Sequence, residues 1–199
     1  MKRGPKHKLC RRVGSCIWGS PKCPSNKRPY APGPHGNQRR RTKLSTYGIL
    51  MMEKQKLRAL YDLNEQELVF AYRKAKAGTG STGEKLLRNL EMRLSSIVYR
   101  SGLAPTVFAA KQAISHRHIL IDGKVVNRCS CRVKPGQVVS VNAQRSPAIA
   151  NIAQKTDIVA PPYLELEKEN CKVTVAREPL TEEIPANIEI MRVVEFYAR

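Results

Sequence analysis

The chain has 199 residues, 41% of them hydrophobic, enough for one or two domains with modest cores. Its 36 Lys+Arg against 16 Asp+Glu leave a net charge of +20, and a compact fold repels itself at such a charge unless a polyanion neutralises it. The sequence has no long apolar run and no strongly amphipathic basic helix, which argues against a membrane and for nucleic acid, where each phosphate contact adds counterion-release free energy.

The charge is uneven along the chain. Residues 1 to 52 hold thirteen Lys/Arg and no acid, Glu53 being the first. The opening Met1-Lys2-Arg3-Gly4-Pro5 lacks a secretory signal pattern, so a reducing compartment is expected. There, six cysteines point to metal sooner than to disulfides. His7, Cys10, Cys16 and Cys23 are separated by two, five and six residues. Zinc needs four N/S ligands, and a segment poor in core is where a structural metal adds most stability. One structural zinc at these four residues stands as the first reading; unligated thiols in a loop packed on RNA is the second. Trp18, the single tryptophan, suits a loop anchor more than a base-stacking platform. Tyr30-Ala31-Pro32-Gly33-Pro34-His35-Gly36 breaks any helix, which predicts an irregular segment over 1–44.

Helical signals follow. Ser45 caps a segment through Leu60; Asn64 with Glu67 forms a capping box for a helix ending near Gly78; Ser81 with Glu84 repeats the device before an amphipathic helix through Leu94 that stops at Gly102. From Arg93 the pattern becomes a compact mixed unit. Thr106 caps a short helix with Val107, Ala110 and Ile114 on one face. Ile119 to Val126 reads as a hairpin about Asp122-Gly123, Lys134-Pro135-Gly136 as a turn, and Val138 to Val141 as a strand. Cys129 and Cys131 alternate on a predicted strand and point to opposite faces, which makes a shared metal improbable; Cys171 reads as core. From Glu165 onward eight Glu face five Lys/Arg, a balance suited to a basic protein neighbour.

The ordered set Arg93-Leu94, Val98-Tyr99-Arg100, Gly102, Thr106, Ala110, Gln112-Ala113, His116-Arg117-His118-Ile119, Asp122 to Val126 and Lys134-Pro135-Gly136 resembles the small RNA-binding module named after ribosomal protein S-four. With Arg28 to Gly36, Tyr47-Gly48, Glu53 to Arg58 and the closing Val194 to Arg199, nearly the whole chain resembles the bacterial-type small-subunit ribosomal protein S-four family. The expected fold is α+β: a mainly helical domain with an irregular basic N-terminal segment, plus a small α/β RNA-binding module of two helices and a short twisted sheet. The expected division is 1–44, then 45–90 completed by 176–199, then 91–175 with its core module at 91–152.

The resemblance implies a primary binder of small-subunit rRNA that nucleates assembly. It also implies neighbouring ribosomal proteins, and a basic surface beside the channel through which mRNA enters, contributing to translational accuracy. The ribosome would be that of a bacterial cytoplasm or of an organelle. Near turns and helix ends, Arg93, Arg100, Lys111, His116, Arg117, His118 and Lys124 are expected to reach phosphates. Arg11, Arg12, Lys22, Lys27, Arg28, His35, Lys54, Lys56 and Arg58 are further RNA candidates; Arg39, Arg40, Arg41 and Lys43 would face the message.

Three departures stand out against the family pattern: Ser95-Ser96 for an acid–amide pair, Arg117 for a turn glycine, and Cys129-Ser130-Cys131 for a Pro-Ser-aromatic stretch. Arg117 opposes the left-handed turn that glycine accepts freely.

No Gly-rich phosphate loop, Ser/His/Asp set or carboxylate pair stands out, so neither catalysis nor a small-molecule substrate is expected. An RNA-modifying enzyme carrying the same module would need a catalytic domain, and the residues after Val141 are too few for one. A zinc-containing DNA binder would need a groove-reading helix, which the Pro-rich cysteine region cannot supply.

Overall fold

The computed structural model describes residues 5, 7–36, 44–143, 145–156, 159–185 and 187–199. Among them run α1 (Lys8–Val13), α2 (Pro24–Lys27), α3 (Thr46–Leu60), α4 (Glu65–Lys76), α5 (Thr82–Glu91), α6 (Leu94–Arg100), α7 (Val107–Ser115), β1 (Ile119–Ile121), β2 (Lys124–Val125), β3 (Val138–Val141), α8 (Pro147–Lys155), β4 (Leu164–Glu167), β5 (Lys172–Val175) and α9 (Ile190–Ala198). The architecture is α+β, as the sequence predicts. No helix among the described residues is long and apolar enough to cross a membrane.

The chain divides into two compact units, 1–63 with 188–199, and 64–187. This boundary differs from a division at residue 90: α4 and α5 pair with each other and belong to the sheet-bearing unit.

In the first unit α9 packs along α3. Ser45 opens α3 by accepting the Gly48 N–H at 3.2 Å, as its position predicts. Lys54 is buried and sits 4.4 Å from the Phe196 ring centroid, a cation–π contact that joins the two helices. Glu53, also buried, accepts from the Glu189 N–H at 3.3 Å and pairs with Lys56. Trp18 is an anchor, donating its indole N–H to the Ala59 carbonyl at 3.2 Å.

In the second unit the Glu67 carboxylate accepts the Asn64 N–H at 2.9 Å, the predicted capping contact. Ser81 makes no such side-chain bond. The helix predicted to run on to Gly102 is interrupted at Met92-Arg93. There the backbone leaves the helix to bridge Arg132, Met92 O accepts the Val133 N–H, and Leu94 N–H restarts a helix by donating to Cys131 O. Residues 129–131 are therefore turn, correcting the predicted strand; their carbonyls satisfy the open N-terminus of α6.

The sheet is fully antiparallel, in the order β2-β1-β3-β5-β4. Asp122 and Gly123, at φ 49° and 77°, form the predicted tight turn between β1 and β2. Ile119 opposite Val141, and Val139 opposite Val173, place their side chains in one buried core with Leu94, Ile97, Ala110, Ile114 and Tyr163. Cys171 is buried in it as expected.

Candidate nucleic-acid interface

The N-terminal cysteines converge. The ligand atoms of His7, Cys10 and Cys23 all lie within 4.8 Å of one another, with Cys23 Sγ 3.2 Å from His7 Nδ1. Cys16, the fourth expected ligand, is not among these three converging donors; its sulfur accepts the Ser20 N–H at 3.3 Å. Burial pushes the Cys10 thiol up to about 11. Burial also raises Cys23, but hydrogen bonds from the Ser25 hydroxyl and N–H outweigh it and hold that thiol below its ordinary value. A tetrahedral zinc with sulfur ligands at ~2.3 Å needs donor separations of roughly 3.8 Å, and the three converging donors, His7, Cys10 and Cys23, suit three of its four positions.

Around the cluster lies an open groove of about 830 Å3, lined by Lys8, Arg11, Lys22, Lys27 and Arg28 and by no acid. Arg12, Lys22, Lys27, Arg28 and His35 are exposed. Arg11 is partly committed, donating from Nε to the Tyr30 carbonyl at 3.2 Å and stacking on that ring. Arg58 is half-buried on α3. Arg39, Arg40, Arg41 and Lys43 lie outside the described residues.

In the second unit the exposed cations gather where α7 ends. His116, Arg117 and Lys124 are exposed and Lys111 half-buried. The Arg117 N–H donates to Ile114 O at 2.9 Å and the His118 N–H to Ala113 O at 3.0 Å, a Schellman closure that requires a left-handed residue between helix and strand. Arg117 occupies that position at φ 64°. The turn keeps a glycine-type geometry despite a side chain, at a cost of roughly 1 kcal/mol. Arg117→Gly is therefore expected to raise stability by about 1 kcal/mol while reducing the salt slope of RNA binding by about 1. Thermal unfolding and a salt titration check both; a destabilised variant contradicts the strain.

His118 is half-buried and paired with the Ser146 hydroxyl. Burial, then the neighbouring His116 and Arg145, lower its pKa, so its imidazole is mainly neutral at pH 7. Of the expected phosphate contacts on this face it is a half-buried one, held by Ser146.

Arg93, Arg100 and Lys54 depart from expectation, being internal. Arg93 pairs with Glu67 at 2.6 Å, and Arg100 with the fully buried Glu91 at 2.8 Å. Charge at a helix end does not reveal an acid that folding brings beside it. Conversely, Arg145 is exposed beside His118; as a lone cation between Lys134 and Lys155 it carries no signal in the sequence.

A helix pair presenting exposed cations at its closing turn, backed by an antiparallel hairpin, defines a small RNA-binding module. Residues 92–139 match the S4 domain family, and residues 1–91 the ribosomal protein S4/S9 N-terminal domain family. The chain is 44% identical over 198 residues to "Small ribosomal subunit protein uS4" of Bifidobacterium longum (strain DJO10A), covering 96% of this chain and 95% of that one. The proteins of the same description from Roseobacter denitrificans and Bartonella bacilliformis are each 42% identical, with 98% of this chain covered and 96% and 97% of theirs. The chain belongs to the uS4 family of small ribosomal subunit proteins.

Proposed function

We infer that this protein is a structural constituent of the small ribosomal subunit that binds its rRNA and neighbouring ribosomal proteins, and that it is not an enzyme. The observation that carries the reading is the coincidence of the S4 domain, residues 92–139, with the exposed cations around the end of α7. In this reading the protein works at the ribosome of a bacterial cytoplasm or of an organelle.

Its RNA contacts fall in two sets. Lys22, Lys27 and Arg28 hold phosphates along the N-terminal groove, and the exposed Arg12 and His35 hold them beyond its lining; Lys111, His116, Arg117 and Lys124 hold them on the sheet-bearing unit. Supporting this is their exposure without acids lining the groove. Binding early to a folded rRNA junction makes the chain a primary assembly protein. Arg39, Arg40, Arg41 and Lys43, a cationic run free of acids, face mRNA where it enters and contribute to translational accuracy.

His7, Cys10, Cys16 and Cys23 hold one structural zinc, which fixes the two short N-terminal helices in the shape the groove requires. Supporting this are the converging donors of His7, Cys10 and Cys23, with Cys16 on the loop between the two helices.

Crosslinking in cells followed by sequencing is expected to recover small-subunit rRNA predominantly. Replacing Arg39, Arg40 and Arg41 with alanine should lower the mRNA crosslinks and leave rRNA crosslinks in place. Dominant tRNA or DNA crosslinks would overturn the reading.

A further inference from the structure

A cavity of about 240 Å3 opens between α7 and α8 in the sheet-bearing unit. That is below the roughly 300–1,000 Å3 of small-molecule sites, so it suits a single ring system rather than a cofactor. Ala109 of α7 and Ile149 and Ile152 of α8 give it apolar sides, and Ile152 remains 47% exposed. At its edge are Gln112 and the imidazoles of His116 and His118, whose ring centroids are 5.8 Å apart. No acid lines it.

The chemistry selects the occupant. Apolar walls and imidazole faces favour a flat aromatic ring. The exposed Gln112 amide, which both donates and accepts, favours a ring with a mixed hydrogen-bonding edge. Arg117 is exposed between the two histidines, and Arg145 lies near His118. Both favour a ligand attached to phosphates. His118, kept neutral by burial, can lie against a ring without a charge needing a counter-ion.

We propose that this cavity receives one unpaired nucleobase of the bound rRNA, its faces against Ile149, Ile152 and His116 and its edge toward Gln112. Unstacked bases are the part of RNA that proteins read by stacking and edge contacts. The cavity thereby gives the module a point of register that phosphate contacts alone do not supply. The proposal rests on the rRNA-binding reading above. An apolar side chain of a neighbouring protein is the competing occupant, which the cationic surroundings disfavour.

Two variants of the full chain test it against a small-subunit rRNA transcript. Ala109→Leu fills the cavity; Gln112→Ala removes the edge contact at an exposed position where folding is unaffected. Each is expected to weaken binding about tenfold, with the slope of log affinity against log salt unchanged, because no phosphate contact is lost. Ultraviolet crosslinks of a nucleotide to residues 112–118 should disappear in Ala109→Leu.

Affinity equal to the parent in both variants would overturn the proposal. So would unaltered RNA binding together with loss of a neighbouring ribosomal protein from reconstituted subunits, which would assign the cavity to a side chain. If the parent chain itself ignored the transcript, the rRNA-binding reading would fall first and this proposal with it.

Discussion

Arg100→Ala is expected to lower stability by about 3–5 kcal/mol, far more than the loss of a surface cation. Glu91, at the end of α5, is 0% exposed. Its carboxylate accepts from Arg100 Nη2 at 2.8 Å, from Arg100 Nε at 3.2 Å and from the Tyr163 hydroxyl at 3.2 Å. Burial, then the adjacent Glu91 charge, hold the Tyr163 hydroxyl protonated far above its ordinary range. Three parts of the chain meet on one carboxylate: α5, α6 and the segment leading into β4. Removing Arg100 takes a bidentate cation away from a fully buried carboxylate.

Since a domain's whole stability is roughly 5–15 kcal/mol, the variant approaches its limit. Urea unfolding of the parent, Arg100→Ala and the pair Glu91→Leu with Arg100→Met separates the causes. The double variant should recover most of the loss, because replacing both charges removes the desolvation cost with the attraction. A single variant of near-parental stability that bound RNA poorly would instead make Arg100 a phosphate ligand.

Zinc is expected at about one equivalent per chain, and Cys23→Ser is expected to carry almost none. The segment has little else to hold it: α1 has six residues and α2 four, both too short to persist unaided. Yet Cys10 and Cys23 are 0% and 2% exposed, so something must organise the chain around them. Structural zinc in small fingers contributes roughly 10–16 kcal/mol of apparent binding free energy, which is folding free energy when no site exists in the unfolded chain. Elemental analysis of protein purified without chelator decides the matter, a content below about a tenth of an equivalent ruling zinc out. Chelation should also open residues 8–31 to protease while the sheet-bearing unit stays resistant.

Local chemistry is readable where local chemistry decides. Asp122-Gly123 specifies its turn, Asn64 with Glu67 specifies a helix start, and Thr106 caps α7 by accepting the Ala109 N–H at 3.1 Å. The break at Met92-Arg93 is not readable, because its cause is a backbone bridge to Arg132, beyond α6, α7 and the first hairpin. A pairing between segments so far apart leaves no trace in the periodicity of either one.

The fourth and fifth strands escape the sequence reading although Leu164-Glu165-Leu166-Glu167 and Lys172-Val173-Thr174-Val175 alternate, the period of a half-buried strand. Their short runs gain stability only by pairing, β5 with β3 and β4 with β5.

At the site, residue type and charge point to the exposed cations, while partners acquired on folding stay hidden. Glu91 and Glu67 look like ordinary helix-surface acids in the sequence, yet they bind Arg100 and Arg93 internally. The cysteine cluster is legible as a set of ligand types, whereas its convergence depends on the path of the chain between Cys10 and Cys23.

All of this depends on cationic surface being matched by the phosphates of folded rRNA. Titrating the full chain with a small-subunit rRNA transcript across about 50 to 200 mM salt measures that match. With roughly six to ten phosphates engaged, affinity should be tight at the low end and fall about 10³–10⁵-fold across the range. Affinity indifferent to salt, or no binding at the low end, would contradict it.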